Sequence, residues 1–553
     1  MANEVQPAQR STVGQSARNF APQYVSPDRG LLLNSGLLAR PLDAAAQLTN
    51  FHFDGIKWTP SGYGYALHRA TAFNSGGAFK EFGVHFLSDG SPRFLQQVGN
   101  KVQLYDPLDD PVTAVESDLF TATTESYPTF RSFSPSYLIY TNGVDNPQKW
   151  DGAAASFSAV AGFPLTIGSD VYQRPKYCEA FQGRMVYAGF AALPYHVLIS
   201  EFDDPEGFAI TSSTPASAGV YKIPSQLGPI VSIKSAFLTT TSNEEVLLVG
   251  CKKGVALISG LDATSFRRDI ITRKFGLVNN RCWMQIDDQM WFLATDGIRP
   301  ISLNTGISNL LNATATYPLL QAINSRNLGA SDQPFVIDNP TRQEAVWYFP
   351  RGAEVRNRRG LVMNYATLPE FVRFSEKEYA IESSSPSSWY GPACGIEYEG
   401  KILCGGYNGL LQRHYVGKLF NDKAPRILYR SAAIQAPTPG QQMATKDQEI
   451  ICEGPGQKFT FTIFAYTRLG DGSISRRAVY SKVISSSSSG QAILGAWVLG
   501  LHALGGDRHH RFNVSGPGHG NYFDFEISGE DETVEVGLVG IFANFIAGGL
   551  KQP

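Results

Sequence analysis

Between about residue 80 and residue 415 the same small unit recurs: an apolar or aromatic run, a turn centred on Gly, and a second such run. The seven clearest copies are GVHFLSDGSPRFLQQVGNKVQLYD, YLIYTNGVDNPQKWDG, RMVYAGFAALPYHVLIS, VLLVGCKKGVALISG, QMWFLATDGIRPIS, AVWYFPRGAEVRNRRGLVMNY and KILCGGYNGLLQRHYVG. Five contain a Gly that can supply the positive φ of a two-residue hairpin turn: Asp89-Gly90, Asn142-Gly143, Lys253-Gly254, Asp296-Gly297 and Asn408-Gly409. Each copy is therefore predicted to be a β-hairpin.

The spacing of these hairpins, about 45–60 residues, matches the period of four-stranded propeller blades. A blade cannot bury both of its faces alone, so its neighbours must stack around an axis. Frequent Gly (54) and Pro (32) and an aromatic content of 12% also favour short strands and tight turns. We predict an all-β fold, an irregular six- or seven-bladed β-propeller with an additional β-sandwich-like domain. An array of β-sandwiches without circular closure is the alternative.

Three regions are expected along the chain. Residues 1–30 are polar and predict a flexible N-terminal arm. Residues 31–425 are assigned to the β-propeller, with a short helix near 318–326 where PLLQAINSR begins with Pro. Residues 426–553 are assigned to a C-terminal β-sandwich-like domain, in which FTFTIFAYTRLGDGSISRRAVYSKVI is a predicted hairpin. The run at 107–136 shows no clean hairpin.

Charge and cysteine content narrow the function classes. With a formal net charge of −2, the whole chain has no excess of basic residues that would support tight DNA binding. The six cysteines are scattered without a CxxC pair, so we expect free thiols in a reducing cytosol. Because no apolar stretch is long enough, we expect neither a signal peptide nor a membrane span.

Several segments resemble the tail nozzle proteins of short-tailed bacteriophages, a family also called tail tubular protein B or tail hub. LLLNSGLLARPLDAAAQLTNFHFDGIKWTPSGYG (31–64) is similar to the opening of that family. YLIYTNGVDNPQKWDG (137–152) resembles its aromatic strand followed by Asn-Gly and Pro-x-Lys-Trp-Asp-Gly. QMWFLATDGIRPIS, the helix near 318–326 and the closing GNYFDFEISGEDETVEVGLVGIFANF follow in the family's order.

This resemblance implies a structural virion protein of the tail, assembled in the host cytoplasm. The implied assembly is a homohexameric ring below the adaptor (head-to-tail connector) protein, through which double-stranded DNA is ejected into the host. The implied partners are other copies of the chain, the adaptor, tail fibres or a needle or plug protein, and DNA in transient non-specific contact.

The sequence predicts no enzyme, no cofactor and no metal site. A nucleophile elbow, a P-loop and sialidase Asp-boxes are all absent from it. The carboxylate pairs are interpreted as solvated loop residues and not as acid/base groups: Asp109-Asp110, Asp203-Asp204, Glu244-Glu245 and Asp287-Asp288. The histidines His509, His510 and His519 are interpreted as a loop or a subunit contact and not as a zinc site. One basic group is the candidate contact for a partner or for DNA: Arg351, Arg356, Arg358 and Arg359, at a predicted hairpin tip.

Two other classes of function remain open. A tailspike or depolymerase-like enzyme would need a carboxylate cluster in a groove, usually on a trimeric β-helix. A cellular β-propeller interaction module would more often carry WD dipeptides or kelch double glycines at fixed offsets, which this sequence lacks.

Overall fold

The structure is a computed structural model that describes residues 23–547 with internal gaps. The gaps are 34–38, 56, 61–63, 70, 106–116, 211–213, 238–244, 287–288, 302–318, 328, 330–332, 367, 369–371, 380–390, 418, 421–425, 436–441, 447, 454–456, 469–472, 487–508, 515–518 and 530–536. For a few of the described residues the structure describes the backbone alone, among them the strand His509–Val514.

Within the described residues, seven small antiparallel sheets follow one another along the chain as the blades of a propeller. Blade 1 contains Phe79–Phe86, Pro92–Val98, Lys101–Leu104 and Ser117–Thr121. Blade 2 contains Thr129–Phe133, Tyr137–Thr141, Gln148–Trp150 and Ser158–Ala159. Blade 3 contains Tyr177–Phe181, Arg184–Ala188, His196–Ile199 and Gly219–Lys222. Blade 4 contains Ile230–Phe237, Glu245–Cys251, Val255–Ser259 and Arg267–Thr272. Blade 5 contains Trp283–Ile286, Gln289–Ala294 and Gly297–Ile301. Blade 6 contains Phe335–Asn339, Glu344–Tyr348, Arg359–Asn364 and Arg373–Glu378. Blade 7 contains Pro392–Tyr398, Lys401–Gly406, Leu411–His414 and Tyr65–Leu67.

The propeller closes into a circle because its last blade takes its outer strand from the N-terminal part of the chain. Tyr65–Leu67 pairs antiparallel with Leu411–His414, so that Ala66 lies opposite Arg413. Blade 7 then packs on blade 1, where an added Cβ at Gly405 would collide with the Phe79 side chain. This circular closure confirms the propeller and excludes the open array of sandwiches.

Each of the seven predicted hairpins lies in a different blade, but most of their turns are longer than two residues. The strands Tyr137–Thr141 and Gln148–Trp150, for example, are joined by six residues, and Asn142 Oδ1 accepts hydrogen bonds from the amides of Val144 and Asp145. Gly90, Gly143, Gly297 and Gly409 have positive φ, as predicted. Gly254 does not; the residue is small because a Cβ there would lie 2.5 Å from the carbonyl oxygen of Thr272.

Apolar side chains from adjacent blades form the propeller core. Val186 and Val197 of blade 3 pack with Ile233 and Leu247 of blade 4, and similar clusters fill the spaces between other blades. Trp150 is 2% exposed and Trp291 is 3% exposed, so both are buried inside blades. Burial between blades explains why the sequence shows apolar runs in the middle strands.

The second domain consists of further β-strands, drawn from both ends of the chain. One sheet contains Gln47–Thr49, Ile427–Arg430, Ile434–Gln435, Tyr522–Gly529, Gln457–Arg468 and Ile474–Ser486. Another contains Gln23–Val25, His52–Phe53, Trp58–Thr59, Leu538–Ala543, Gln448–Glu453 and His509–Val514, and a small third sheet contains Met443–Thr445, His519–Gly520 and Phe545–Ala547. The predicted hairpin of residues 459–484 is present as the pair Gln457–Arg468 and Ile474–Ser486.

Outside these sheets lie one short hairpin and a few helical turns. The hairpin pairs Leu165–Ile167 with Asp170–Tyr172 between blades 2 and 3. Phe73–Gly76, Ser225–Leu227 and Pro340–Arg342 are 3₁₀ turns. The predicted helix near 318–326 is described as Leu320–Asn324. No helix in the described part of the chain is long and apolar enough to cross a membrane.

One continuous sheet joins the propeller to the second domain. The outer strand of blade 6, Arg373–Glu378, pairs parallel with Gln47–Thr49, which in turn pairs antiparallel with Ile427–Arg430. Ten strands are linked in this way. A single buried cluster continues beneath them, from Trp347 and Phe374 of blade 6 to Phe461 and Phe525 of the second domain.

The N-terminal residues are distributed differently from the predicted boundaries. Gln23–Val25, within the predicted arm of residues 1–30, pairs with Leu538–Ala543. His52–Phe53 and Trp58–Thr59, assigned to the propeller from sequence, lie in the sheet of the second domain. The physical reason is that these short strands complete sheets whose other members lie several hundred residues away, and such pairing leaves no local pattern.

Candidate functional site

A cavity of about 290 Å³ lies on the propeller axis, where the first strands of the blades converge. Six blades contribute to its lining, and its walls combine aromatic side chains such as Phe82, Trp283 and Phe335 with charged ones. The charged residues at or beside the cavity are Glu81, Arg131, Glu179, Lys234 and Arg281.

Four of these charges alternate in sign from blade 1 to blade 4. Glu81, Arg131, Glu179 and Lys234 lie on the first strands of blades 1, 2, 3 and 4 respectively. Neighbouring blades therefore present opposite charges to each other, and the resulting ion pairs connect the blades at the centre of the fold.

Arg281 is held firmly in the wall of this cavity. Its Nε lies 2.8 Å from Glu81 Oε2, and its Nη2 donates to the carbonyl oxygen of Ala393 at 2.9 Å. The guanidinium also lies between the rings of Tyr127 and Phe335, at 4.7 and 4.9 Å from their centroids. Arg281 thus links blades 1, 5, 6 and 7, a structural role in which its charge is matched by Glu81.

Arg131 and Lys234 share one carboxylate. Arg131 Nε donates to Glu179 Oε2 at 2.6 Å, whereas Lys234 Nζ is 3.8 Å from the same oxygen, beyond a normal hydrogen bond. Burial, together with the nearby Arg131 guanidinium, lowers the pKa of Lys234 to about 8, and Glu179 opposes this effect only in part. Lys234 is the cation of the cavity with the weakest pairing.

The structure places the four predicted arginines together in the connection between the second and third strands of blade 6 and at the start of the third strand. Three glutamates lie next to them: Arg351 is 2.5 Å from Glu376, and Arg359 is 3.3 Å from Glu378 and 3.5 Å from Glu354. Arg358 is 3.8 Å from Glu378, and Arg356 lies over the ring of Tyr407. Carboxylates therefore offset most of this positive charge, and the proposed contact with DNA or a partner stays a prediction.

The carboxylate pairs are only partly described. Asp203 and Asp204 lie in a turn after the third strand of blade 3, and Asp204 Oδ1 accepts from the amide of Glu206. Glu245 accepts from the amide of Gln182 and from Ser235 Oγ, so it holds blades 3 and 4 together. Asp109-Asp110, Glu244 and Asp287-Asp288 lie outside the described residues.

Cysteine and histidine form no metal site in the described part of the chain. All six cysteines are free and buried, and burial raises the pKa of each thiol. His509 and His510 lie in a strand of the second domain, not in a loop as expected, since this strand pairs with Gln448–Glu453. His519 begins a separate two-residue strand.

A second surface feature lies at the end of the propeller where the first strands end. The connections from first to second and from third to fourth strands lie on this side, and large apolar residues are exposed there. We call four of them the apolar face: Phe86, Phe202, Phe237 and Leu261, which are 55%, 59%, 52% and 72% exposed. Exposed apolar side chains at one end of a domain are available for contact with another protein.

The chain has only weak similarity to known proteins. No protein-family model matches the sequence, and no curated protein matches it. The chain is similar to the computationally designed Ika8 protein (TM-score 0.35, 9% identity, 62% of this chain and 98% of the other). It is also similar to the WD40 β-propeller domain of Doa1 (0.36, 12%, 64% and 97%) and to YCF48 bound to D1 peptide (0.35, 11%, 62% and 94%). Identities this low carry no statement about function.

The axial charges were missed in the sequence, although a signal for them exists. Arg131, Glu179 and Lys234 are each the one charged residue of an apolar or aromatic first strand, TFRSF, YCEAF and IVSIKSAF, whereas Glu81 stands beside Lys80 in FKEFGVHF. An isolated charge in such a strand is rare unless a partner lies opposite it. Reading the strands as the innermost of successive blades would have predicted that these charges meet on the axis.

Proposed function

We propose that this chain is a structural subunit of the tail nozzle of a short-tailed bacteriophage. Six copies would form a ring below the adaptor and enclose the channel for double-stranded DNA. The proposal rests on the resemblance described above and on one observation of the fold, the continuous ten-stranded sheet between the propeller and the second domain.

The continuous sheet matters because a closed ring needs a rigid subunit. In a ring of identical copies, each subunit presents two different contact surfaces, and the fixed angle between these surfaces determines whether six copies close. Domains joined only by a linker move relative to each other. Here backbone pairing through Gln47–Thr49 and the buried cluster beneath it fix that angle.

The propeller's own axis is not the DNA path in this proposal. A cavity of about 290 Å³, crossed by the Arg281–Glu81 and Arg131–Glu179 ion pairs, is far too small for a double helix. The channel would therefore be enclosed between subunits. A formal net charge of −2 suits such a wall, since many unpaired cations would hold the phosphates and slow the DNA.

The apolar face supplies a surface for assembly. Phe202 and Leu261 stand 59% and 72% exposed in connections of neighbouring blades, where a monomer gains nothing from their exposure. We assign this face to a contact with an adjacent subunit or with the adaptor. Tail fibres and a needle or plug protein would then bind other surfaces.

The proposal is tested by finding where the chain resides and what it forms. Mass spectrometry of purified virions should detect it as a tail component, and negative-stain images of the chain mixed with its adaptor should show a sixfold ring with a central hole. A chain that is absent from virions and stays single with the adaptor would overturn the proposal and support a cellular propeller interaction module. Peripheral trimers that degrade host polysaccharide would support the tailspike alternative.

A further inference from the structure

The axial cavity combines a loosely paired cation with aromatic walls. Lys234 Nζ lies 3.8 Å from Glu179 Oε2, and it has no other polar partner among the described residues. The Lys234 side chain is 29% exposed, so the ammonium is covered on most sides and open to water through the cavity. Two or three of its N–H donors are left for a ligand.

The charged residues of the cavity favour an anionic ligand. Three cations, Arg131, Lys234 and Arg281, face two carboxylates, Glu81 and Glu179. Because each arginine is within 2.8 Å of its own carboxylate, the surplus positive charge is carried mainly by Lys234. One negative charge on a ligand would balance it.

The apolar part of the lining indicates the rest of the ligand. Phe82, Trp283, Phe335 and Ile396 line the same cavity, and aromatic walls of this kind bind flat apolar groups. A volume of about 290 Å³ suits a small molecule and not a chain. A bare inorganic anion would leave these walls uncovered.

From this arrangement we infer that the axial cavity binds a small organic monocarboxylate, with its carboxylate on Lys234 Nζ and its apolar body against Trp283. The inference does not depend on ring formation, since all lining residues come from one chain.

The test uses the full-length protein and two ¹⁹F-labelled probes of the same shape. The signal of 4-fluorobenzoate should broaden and shift in a saturable way, whereas neutral 4-fluorobenzamide should bind at least tenfold more weakly, because a charge-assisted hydrogen bond is lost. Inorganic phosphate should compete poorly. Equal binding of the two probes would show an apolar cavity without anion recognition and would overturn the inference.

Two variants localise the site. Lys234→Met keeps the Arg131–Glu179 pair and should weaken 4-fluorobenzoate binding at least tenfold. Lys252→Met, a matched change at an exposed lysine of blade 4, should leave binding unchanged. Circular dichroism confirms that both variants fold. If neither probe binds to the wild type, or if benzoate binding survives Lys234→Met, the inference is wrong.

Discussion

Replacing Lys234 by Met is expected to stabilise the protein near neutral pH. The folded protein holds this ammonium in a covered position beside Arg131, and its pKa is lowered from 10.5 to about 8. Each pKa unit corresponds to about 1.4 kcal/mol at 25 °C, so keeping the charge in the fold costs about 3 kcal/mol. Since the side chain is 29% exposed and water screens part of this cost, we expect Lys234→Met to raise the free energy of unfolding by about 2 kcal/mol.

The stabilisation by Lys234→Met should depend on pH, because the pKa of Lys234 is lowered in the folded chain. Below about pH 8 the lysine is protonated in both the folded and the unfolded chain, so the full cost is present. Between about pH 8 and pH 10.5 the folded lysine loses its proton while the unfolded one keeps it, and the wild type therefore gains stability as the pH rises. The advantage of Lys234→Met should shrink over this range.

Urea unfolding of wild type and variant at about pH 7 and about pH 10 measures both effects. Lys252→Met, at an exposed position, is the control and should change the unfolding free energy by less than about 0.5 kcal/mol. If Lys234→Met were destabilising at pH 7, or if its effect were the same at both pH values, the lysine would be well paired, and our description of the axial charges would be refuted.

Three further results are expected. Trp150→Ala or Trp291→Ala should lower the free energy of unfolding by about 3–5 kcal/mol, because each empties a buried site; urea unfolding measures this, with exposed Phe86→Ala as the control, and a loss under about 1 kcal/mol would contradict it. A thiol reagent should modify the six cysteines only on unfolding, since all are buried with raised pKa values; rapid labelling of the native chain would be inconsistent with these positions. A chelator should leave the melting temperature unchanged, whereas a drop reversed by zinc would reveal a metal site.

Much of the fold could be predicted from the sequence because the relevant pairing is local. Each hairpin joins strands that are a few residues apart. Turn residues such as Asn142-Gly143 and the apolar runs beside them therefore predict the pairing. The pairing of Ala66 with Arg413, and of Gln47–Thr49 with two distant strands, leaves no such record. Those contacts close the propeller and attach the second domain, and the tertiary structure alone determines them.

The axial site was harder to predict for a related reason. Glu81, Arg131, Glu179 and Lys234 are about fifty residues apart in sequence, and a single charge in an apolar strand does not reveal which blade it will face. The arginines of blade 6 were easier to notice because they are close together in the sequence, between Arg351 and Arg359. Their glutamate partners, Glu376 and Glu378, lie on the next strand and became evident only in three dimensions.

The most direct test of the proposed role is a reconstruction of virion tails without imposed symmetry. Our account predicts six copies of this chain in a closed ring on the tail axis below the adaptor, with DNA passing between subunits and not through any propeller. Each contact between neighbours should bury well over about 1,000 Å². Copies found as trimers on the periphery, or away from the tail axis, would contradict the account.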